Sequence, residues 1–284
     1  MGIQYGSLNV DEKYSGILEP NLYYDSLFVP GVTYTDKYQT GPAGGIYVHK
    51  LSTAAVTVGT PGRDFTDEAS SDTLIQILLN NNYQKSKKIY GVQAAAVNFD
   101  LANEQLSTAT KEVREAWNMS GLGCLVQEGS TSAVKTAITE KAVSAVLDEA
   151  ANIKKGAANV VLCSPEFYAL VLKENGKDFT PNANDRIAAT GAIGSLYGYT
   201  WIRAAGLDEA QAKYYDNTGA LKTVDLAKAK TASADGSAVD FILYNSETLS
   251  IVSNLESFRI VDSENFTGSK AQVEMNSGFR VTNA

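Results

Sequence analysis

The residues able to do chemistry are few in this chain, and they do not converge. Its 284 positions hold one histidine, His49, and two cysteines, Cys124 and Cys163. A nucleophilic triad needs a histidine beside its Ser or Cys, and His49 lies on an extended run, IYVHKLSTAAVTV (46–58), away from any inferred pocket. A zinc site draws on three or four Cys, His, Asp or Glu ligands, so a Cys/His-based centre lacks donors. Cys163 closes an apolar run, VVLC, and reads as a small core residue. Two cysteines without a secretion signal read as reduced. Ser164-Pro165 sits where a nucleophile might be sought, yet Ser at an N-cap and Pro at the first helical position open a helix that Gly176 closes. The glycines of GAIGSLYG (191–198) miss the dinucleotide fingerprint and read as a turn entering a strand. Asp216-Asn217-Thr218-Gly219 lacks the alternating ligands and terminal Glu of a calcium loop and reads as a turn. Asp208-Glu209 is a carboxylate pair of the kind any acidic surface carries. The sequence predicts no catalytic residue, no cofactor site and no metal site, and so no enzyme.

Composition narrows the class further. A hydrophobic content of 44% with 20% charged residues belongs to a soluble globular protein. No apolar run approaches the ~18 residues of a membrane helix, and MGIQYGSLNVDEKY lacks the basic start and apolar core of a secretion signal. Cytosolic synthesis is the expectation. A formal charge of −8 argues against a protein that grips nucleic acid, because phosphate contacts need clustered cations. The densest cluster, Lys85, Lys87 and Lys88, reads as a solvated face. A protein that only encloses nucleic acid needs no basic composition.

The elements that would position a site are arranged unusually. Tyr5, Tyr14, Tyr23, Tyr24, Tyr34, Tyr38 and Tyr47 are strung between Gly, Pro, Asp and Asn in the first fifty positions, with no sustained helical repeat before about Phe99. An extended segment loses backbone entropy at every position and orders only where another surface accepts its side chains. Tyrosine suits that role, with a ring to bury and a hydroxyl to bond. Residues 1–44 therefore read as an arm, with Tyr5, Tyr14, Tyr23, Tyr24, Tyr34 and Tyr38 as subunit contacts. Two β-forming runs, 46–58 and TLIQILL (73–79), flank a polar tip, GTPGRDFTDEASS, and make a projecting hairpin. Its charged residues Arg63, Asp64, Asp67 and Glu68 read as further subunit contacts.

Phe99, Ala102, Leu106, Ala109, Val113, Ala116 and Trp117 step by three and four, which predicts one long amphipathic helix. Asn98 is its expected N-cap, and Gly121 and Gly123 its expected stop. Glu104, Lys111, Glu112, Arg114 and Glu115 fall on the opposite, solvated side. A second helix is expected from near Ser132 to Gly156, then a buried strand, Ala158–Cys163, and the Ser-Pro helix. A turn at Gly198 leads into a strand through Arg203, and residues 207–238 read as a surface insertion. AVDFILYN (238–245), SFRIVDS (257–263), KAQVEMN (270–276) and GFRVTN (278–283) supply the late strands.

This order of parts resembles the major capsid protein of tailed bacteriophages, the Hong Kong 97 coat fold. The likeness rests on MGIQY with DEKYS nearby, GGIYVHKL entering the hairpin, the 98–118 helix, NVVLCSPEFYALVLKENG, IGSLYGYTWIRAAGL, and FRIVDSENF with VEMNSGFRVTNA at the close. It implies an α+β fold with an N-terminal arm (1–44), an E-loop (45–82) laid over a neighbouring subunit, and a peripheral domain (83–131) with its spine helix at Asn98–Asn118. An axial domain (132–250), peripheral return strands (251–276) and a terminal axial strand (277–284) complete it. The function it implies is a structural coat protein that self-assembles as hexamers and pentamers into an icosahedral shell. Such a shell encloses the phage genome without sequence-specific DNA binding and without a membrane. The expected location is the virion, assembled in the host bacterial cytoplasm. The chain opens at Met1 directly on the arm, so a separate scaffolding protein is the expectation, together with a portal and decoration proteins. Some members join a loop lysine to a neighbouring asparagine; Lys50 is the position to consider, and a solvated lysine is the plainer reading. An encapsulin-like bacterial compartment shell is the alternative within the class, and a small-molecule enzyme with an α/β lobe the alternative outside it.

Overall fold

The computed structural model describes residues 27–38, 45–51, 72–96, 100–129, 141–153, 158–175, 192–226 and 239–282. A strap of residues 27–38 precedes β1 (Gly45–Leu51), β2 (Asp72–Leu78), β3 (Asn81–Tyr90), α1 (Gly91–Ala96) and α2 (Leu101–Glu128). Then come α3 (Ala142–Asn152), β4 (Val160–Cys163), α4 (Pro165–Asn175), β5 (Ala192–Leu196) and β6 (Tyr199–Arg203). A short 3-10 turn (Ala205–Asp208) leads to β7 (Gln211–Tyr215), β8 (Leu221–Asp225), β9 (Phe241–Tyr244), β10 (Leu249–Asp262) and β11 (Gly268–Val281).

The long helix forms as its periodicity predicts, but both ends differ. Asp100 caps it, its carboxylate accepting from the Asn103 N–H at 3.2 Å, so the cap lies later than Asn98. At the other end α2 runs through Gly121 and Gly123 to Glu128. Those glycines are notches and not stops. A Cβ on Gly121 would sit 2.8 Å from Phe28 Cζ, and one on Gly123 would sit 3.0 Å from Ala212 Cβ. The helical cost of a glycine, about 1 kcal/mol, is offset by the side chains that its absent Cβ admits. Ala109, Val113 and Trp117 are buried as the stripe requires, Leu106 is half-buried, and Ala116 is exposed.

The hairpin filling the second notch corrects the expectation of a surface insertion over 207–238. β7 and β8 pair antiparallel, with Ala212 opposite Val224, and Ala212, Tyr214, Val224 and Leu226 join the main core. The Ala, Asp and Lys content hid a strand alternation that buries only every second residue. Residues 227–238 lie outside those described.

Two sheets complete the frame. One has the order β10-β11-β3, wholly antiparallel, and α2 covers one face of it through Ala271, Val273 and Met275. The two last strands expected from the sequence are one: β11 continues through Gly278, where the Leu78 backbone approaches too closely for a side chain. The other sheet has the order β5-β6-β4-β9, in which only β4 and β6 are parallel. β4 and α4 match the strand and Ser-Pro helix read from the sequence, and Ser164 Oγ accepts from the Phe167 N–H at 3.3 Å. Tyr197 and Gly198, with φ of 54° and 82°, turn β5 into β6. α3 starts at Ala142, where the Ala142 and Val143 N–H groups donate to the Glu174 carboxylate at 3.0 and 3.3 Å.

The last part of the arm has a core after all. Leu27, Phe28 and Val29 are buried, the Leu27 N–H donates to Asn118 Oδ1 at 3.1 Å, and the Thr35 N–H donates to the Leu249 carbonyl at 2.9 Å. Phe28 and Tyr34 meet Trp117 edge-on, with centroids 5.7 and 6.4 Å away. The expectation that the arm, residues 1–44, orders only on another surface is thus corrected for the strap, and at the hairpin base Tyr38, Ile77, Leu79 and Val252 cluster on their own chain.

These contacts set two tests. Gly121→Ala should destabilise the subunit by about 1–3 kcal/mol through overpacking against Phe28, and Phe28→Ala by about 3–5 kcal/mol. Glu104→Ala, on the exposed side, should stay within ~0.5 kcal/mol. Denaturant unfolding checks the three together, and equal effects would contradict the notch. Deleting residues 1–38, which removes Leu27, Phe28 and Tyr34, should abolish cooperative unfolding.

Candidate assembly surface

The groups singled out for chemistry are dispersed by the fold. Cys124 and Cys163 are fully buried, and burial pushes both thiols well above their ordinary range, so neither is a ready thiolate. Ser164 is spent on its helix cap, and His49 lies exposed on β1. Asp216 Oδ1 accepts from the Thr218 N–H and hydroxyl and the Ala220 N–H. The Thr218 hydroxyl is the chief cause of that carboxyl's low pKa. This is the turn read from the sequence. No group of three potential metal-ligating side chains occurs among the described residues.

A shallow cleft of about 150 Å³ lies between the start of β3 and the β7–β8 hairpin. The Asn81 amide in its wall is consumed internally. Asn81 Oδ1 accepts the Tyr215 N–H at 2.8 Å while Asn81 Nδ2 donates to the Tyr215 carbonyl at 3.2 Å. Asn80 Nδ2 donates to the Asp216 carbonyl at 3.1 Å. The two amides act as a clamp between the hairpin base and the β7–β8 turn, a role no sequence motif announces.

A second clamp joins α2 to β3. Glu112, expected on a free solvated face, receives Lys85 at 2.8 Å and Lys87 at 2.6 Å. β3 alternates so that Tyr83, Lys85, Lys87 and Ile89 all face the helix, which brings two of the three clustered lysines onto one carboxylate. Partial burial raises the Glu112 pKa, but hydrogen bonds and charge from Lys85 and Lys87 outweigh it and hold the carboxyl below its ordinary 4.5.

What remains uncovered is apolar surface on extended elements. In the β1–β2 stem Ile46, Val48, Ile75 and Ile77 face inward, while Tyr47 (61% exposed) and Leu74 (57%) face outward. Gln76 donates to the Tyr47 hydroxyl at 3.1 Å on that outer face. The edge strand β10 exposes Phe258, Ile260 and Val261 within four positions. Phe258 and Ile260 stand opposite Val273 and Ala271, so they extend the helix-covered face beyond the helix. Of the expected contact residues, Tyr34 and Tyr38 pack on their own chain. Tyr5, Tyr14, Tyr23, Tyr24, Arg63, Asp64, Asp67 and Glu68 lie outside the described residues. Lys50 Nζ donates to the Thr282 carbonyl of its own chain at 3.4 Å. Among the described residues no helix is long and apolar enough to cross a membrane.

No family model matches the sequence, and no characterised protein matches it by sequence. Solved structures do match. A structure from Mycobacterium phage Che8 agrees at TM-score 0.63 and 15% identity, over 99% of this chain and 96% of that one. The capsid of cyanophage P-SCSP1u agrees at 0.62 and 11%, over 96% and 89%. The acid-stable capsid of Helicobacter pylori bacteriophage KHP30 agrees at 0.60 and 9%, over 99% and 92%. At these identities the likeness is one of fold: the chain has the Hong Kong 97-type capsid fold, as its order of elements suggested.

The α2–β3 clamp is open to titration. A carboxyl held below 4.5 contributes stability above pH 4.5 and loses it as pH falls through the folded value. Glu112→Gln should therefore lower stability near neutral pH by about 1 kcal/mol and flatten the acid side of a melting-temperature profile. Parallel wild-type and variant profiles from pH 7 down to 3 would show that the clamp contributes nothing.

Proposed function

We propose that this chain is a major coat protein that self-assembles as hexamers and pentamers into an icosahedral shell around a phage genome. The observation that carries this is a shared fold over 93–99% of the chain with the solved phage structures, several of them capsids by name. The surface chemistry agrees with it. Extended elements present outward apolar residues, and the polar side chains that might have formed a site are absorbed into caps, turns and clamps. Neither a cargo compartment nor a small-molecule enzyme is favoured by any feature of the described surface. In the coat reading the protein resides in the virion, encloses DNA without reading its sequence, and engages scaffolding, portal and decoration proteins during assembly. The arm ahead of the strap and the E-loop hairpin lie across neighbouring copies.

Negative-stain microscopy and size-exclusion chromatography of the purified protein test the reading, with closed particles of megadalton mass as the expected result. A protein that remains a stable monomer at high concentration would overturn it. Tyr47→Ser with Leu74→Ser should suppress particles while leaving the subunit melt within ~0.5 kcal/mol, because both side chains face away from the core. Hydrogen exchange should show the Leu74 end of β2 becoming protected only on assembly. The Ile77–Leu79 end should be protected already in the subunit, since it is buried against Val252.

A further inference from the structure

β7 and β8 form a sheet of two strands, which leaves β7 an outer edge of main-chain groups. The bonds at the two ends of the hairpin fix which groups those are. The Leu226 N–H donates to the Ala210 carbonyl at 3.0 Å, and the Asp216 N–H donates to the Ala220 carbonyl at 3.0 Å. Antiparallel bonding alternates along a strand. Ala212 and Tyr214 therefore bond to β8, while the main-chain groups of Lys213 and Tyr215 turn away from it. Apolar surface lies beside that outer edge, because Tyr215 and Leu221 stand directly opposite each other and both are exposed. A two-stranded ribbon with an open edge and an apolar pair on its face is a template for a third strand.

Among the described residues no strand takes that third place. Side chains take it instead. Asn81 Oδ1 accepts the Tyr215 N–H at 2.8 Å and Asn81 Nδ2 donates to the Tyr215 carbonyl at 3.2 Å. One buried carboxamide thus returns both bonds that a residue on an opposing strand would exchange. Two positions back along β7, Ser120 Oγ donates to the Lys213 carbonyl at 2.9 Å, and one position on, Asn80 Nδ2 donates to the Asp216 carbonyl at 3.1 Å. We propose that Asn81, with Ser120 and Asn80 beside it, guards this edge: the three side chains stand in for a strand and keep the β7–β8 ribbon from pairing with an extended segment of another chain. A carboxamide suits the task because it carries a donor and an acceptor but no backbone from which the sheet could continue. The guard operates in the single subunit, whether or not subunits form a shell.

The test compares Asn81→Leu with the wild-type full chain as dispersed subunits. Hydrogen exchange at the Tyr215 amide should speed up about tenfold, as befits the loss of one main-chain bond, while the Ala212 and Tyr214 amides keep their wild-type rates. The variant should also associate into material with the infrared signature of intermolecular β-pairing and without closed particles in negative stain. Adding Tyr215→Lys, a charge on the exposed face of the same edge, should abolish that association without slowing exchange at position 215. If Asn81→Leu does not fold, Asn81→Ala carries the same readings. Unchanged exchange at Tyr215 would overturn the edge contact. Acceleration of Ala212 and Tyr214 together with Tyr215 would show that Asn81 only seats the hairpin, which overturns the guard. So would fast exchange at Tyr215 alone in subunits that stay as dispersed as wild type.

Discussion

The fold depends on what gathers around one indole. Trp117 takes Phe28 and Tyr34 of the strap on one side and Phe279 of β11, 6.0 Å away, on another. Helix, strap and sheet meet there, and edge-on aromatic contacts fix their relative angles more tightly than aliphatic packing would. A helix of this length gains most of its stability from its packed face, and this face is packed where the strap crosses it. The end of the strap reaches the hairpin base, where Tyr38 packs with Ile77, Leu79 and Val252.

That arrangement explains a chain with so little chemistry. Several polar side chains here bind backbone distant in sequence. Asn118 holds Leu27, Asn81 holds Tyr215, and Glu128 accepts from both Arg280 Nη1 and the Val281 N–H at 2.9 Å. Each such bond fastens one extended segment to another element at long sequence separation. The result is a body fastened across the length of the chain, with an exposed sheet edge at β10 that a soluble monomer would ordinarily protect.

Much of this was legible in the residues. Period-two alternation gave the β1–β2 stem with its inward Ile46 and Val48, and Ser164-Pro165 gave the start of α4. The three-four spacing placed Ala109, Val113 and Trp117 on one stripe. What was not legible depended on contacts distant in sequence. Gly121 and Gly123 carry the local signature of a helix end, and only Phe28 and Ala212 reveal them as clearances. The β7–β8 hairpin looked like an insertion because its buried residues, Ala212, Tyr214 and Val224, alternate with more exposed ones within a charged stretch. Glu112 belonged by periodicity to the solvent face, and nothing local to it predicts Lys85 and Lys87 on the strand beneath. The clefts and clamps at Asn80 and Asn81 carry no pattern at all.

The sheet built on β4 has a consequence of its own. Val160 and Leu162 point into the core that contains Trp117, whereas Val161 and Cys163 point into the separate core of α3, α4 and Trp201. One strand of four residues is therefore a party wall, finished on both sides. Neither core can melt while the other stays dry, because loosening the wall from one side opens the other to water. Two bodies that look separable by packing are thermodynamically one cooperative unit.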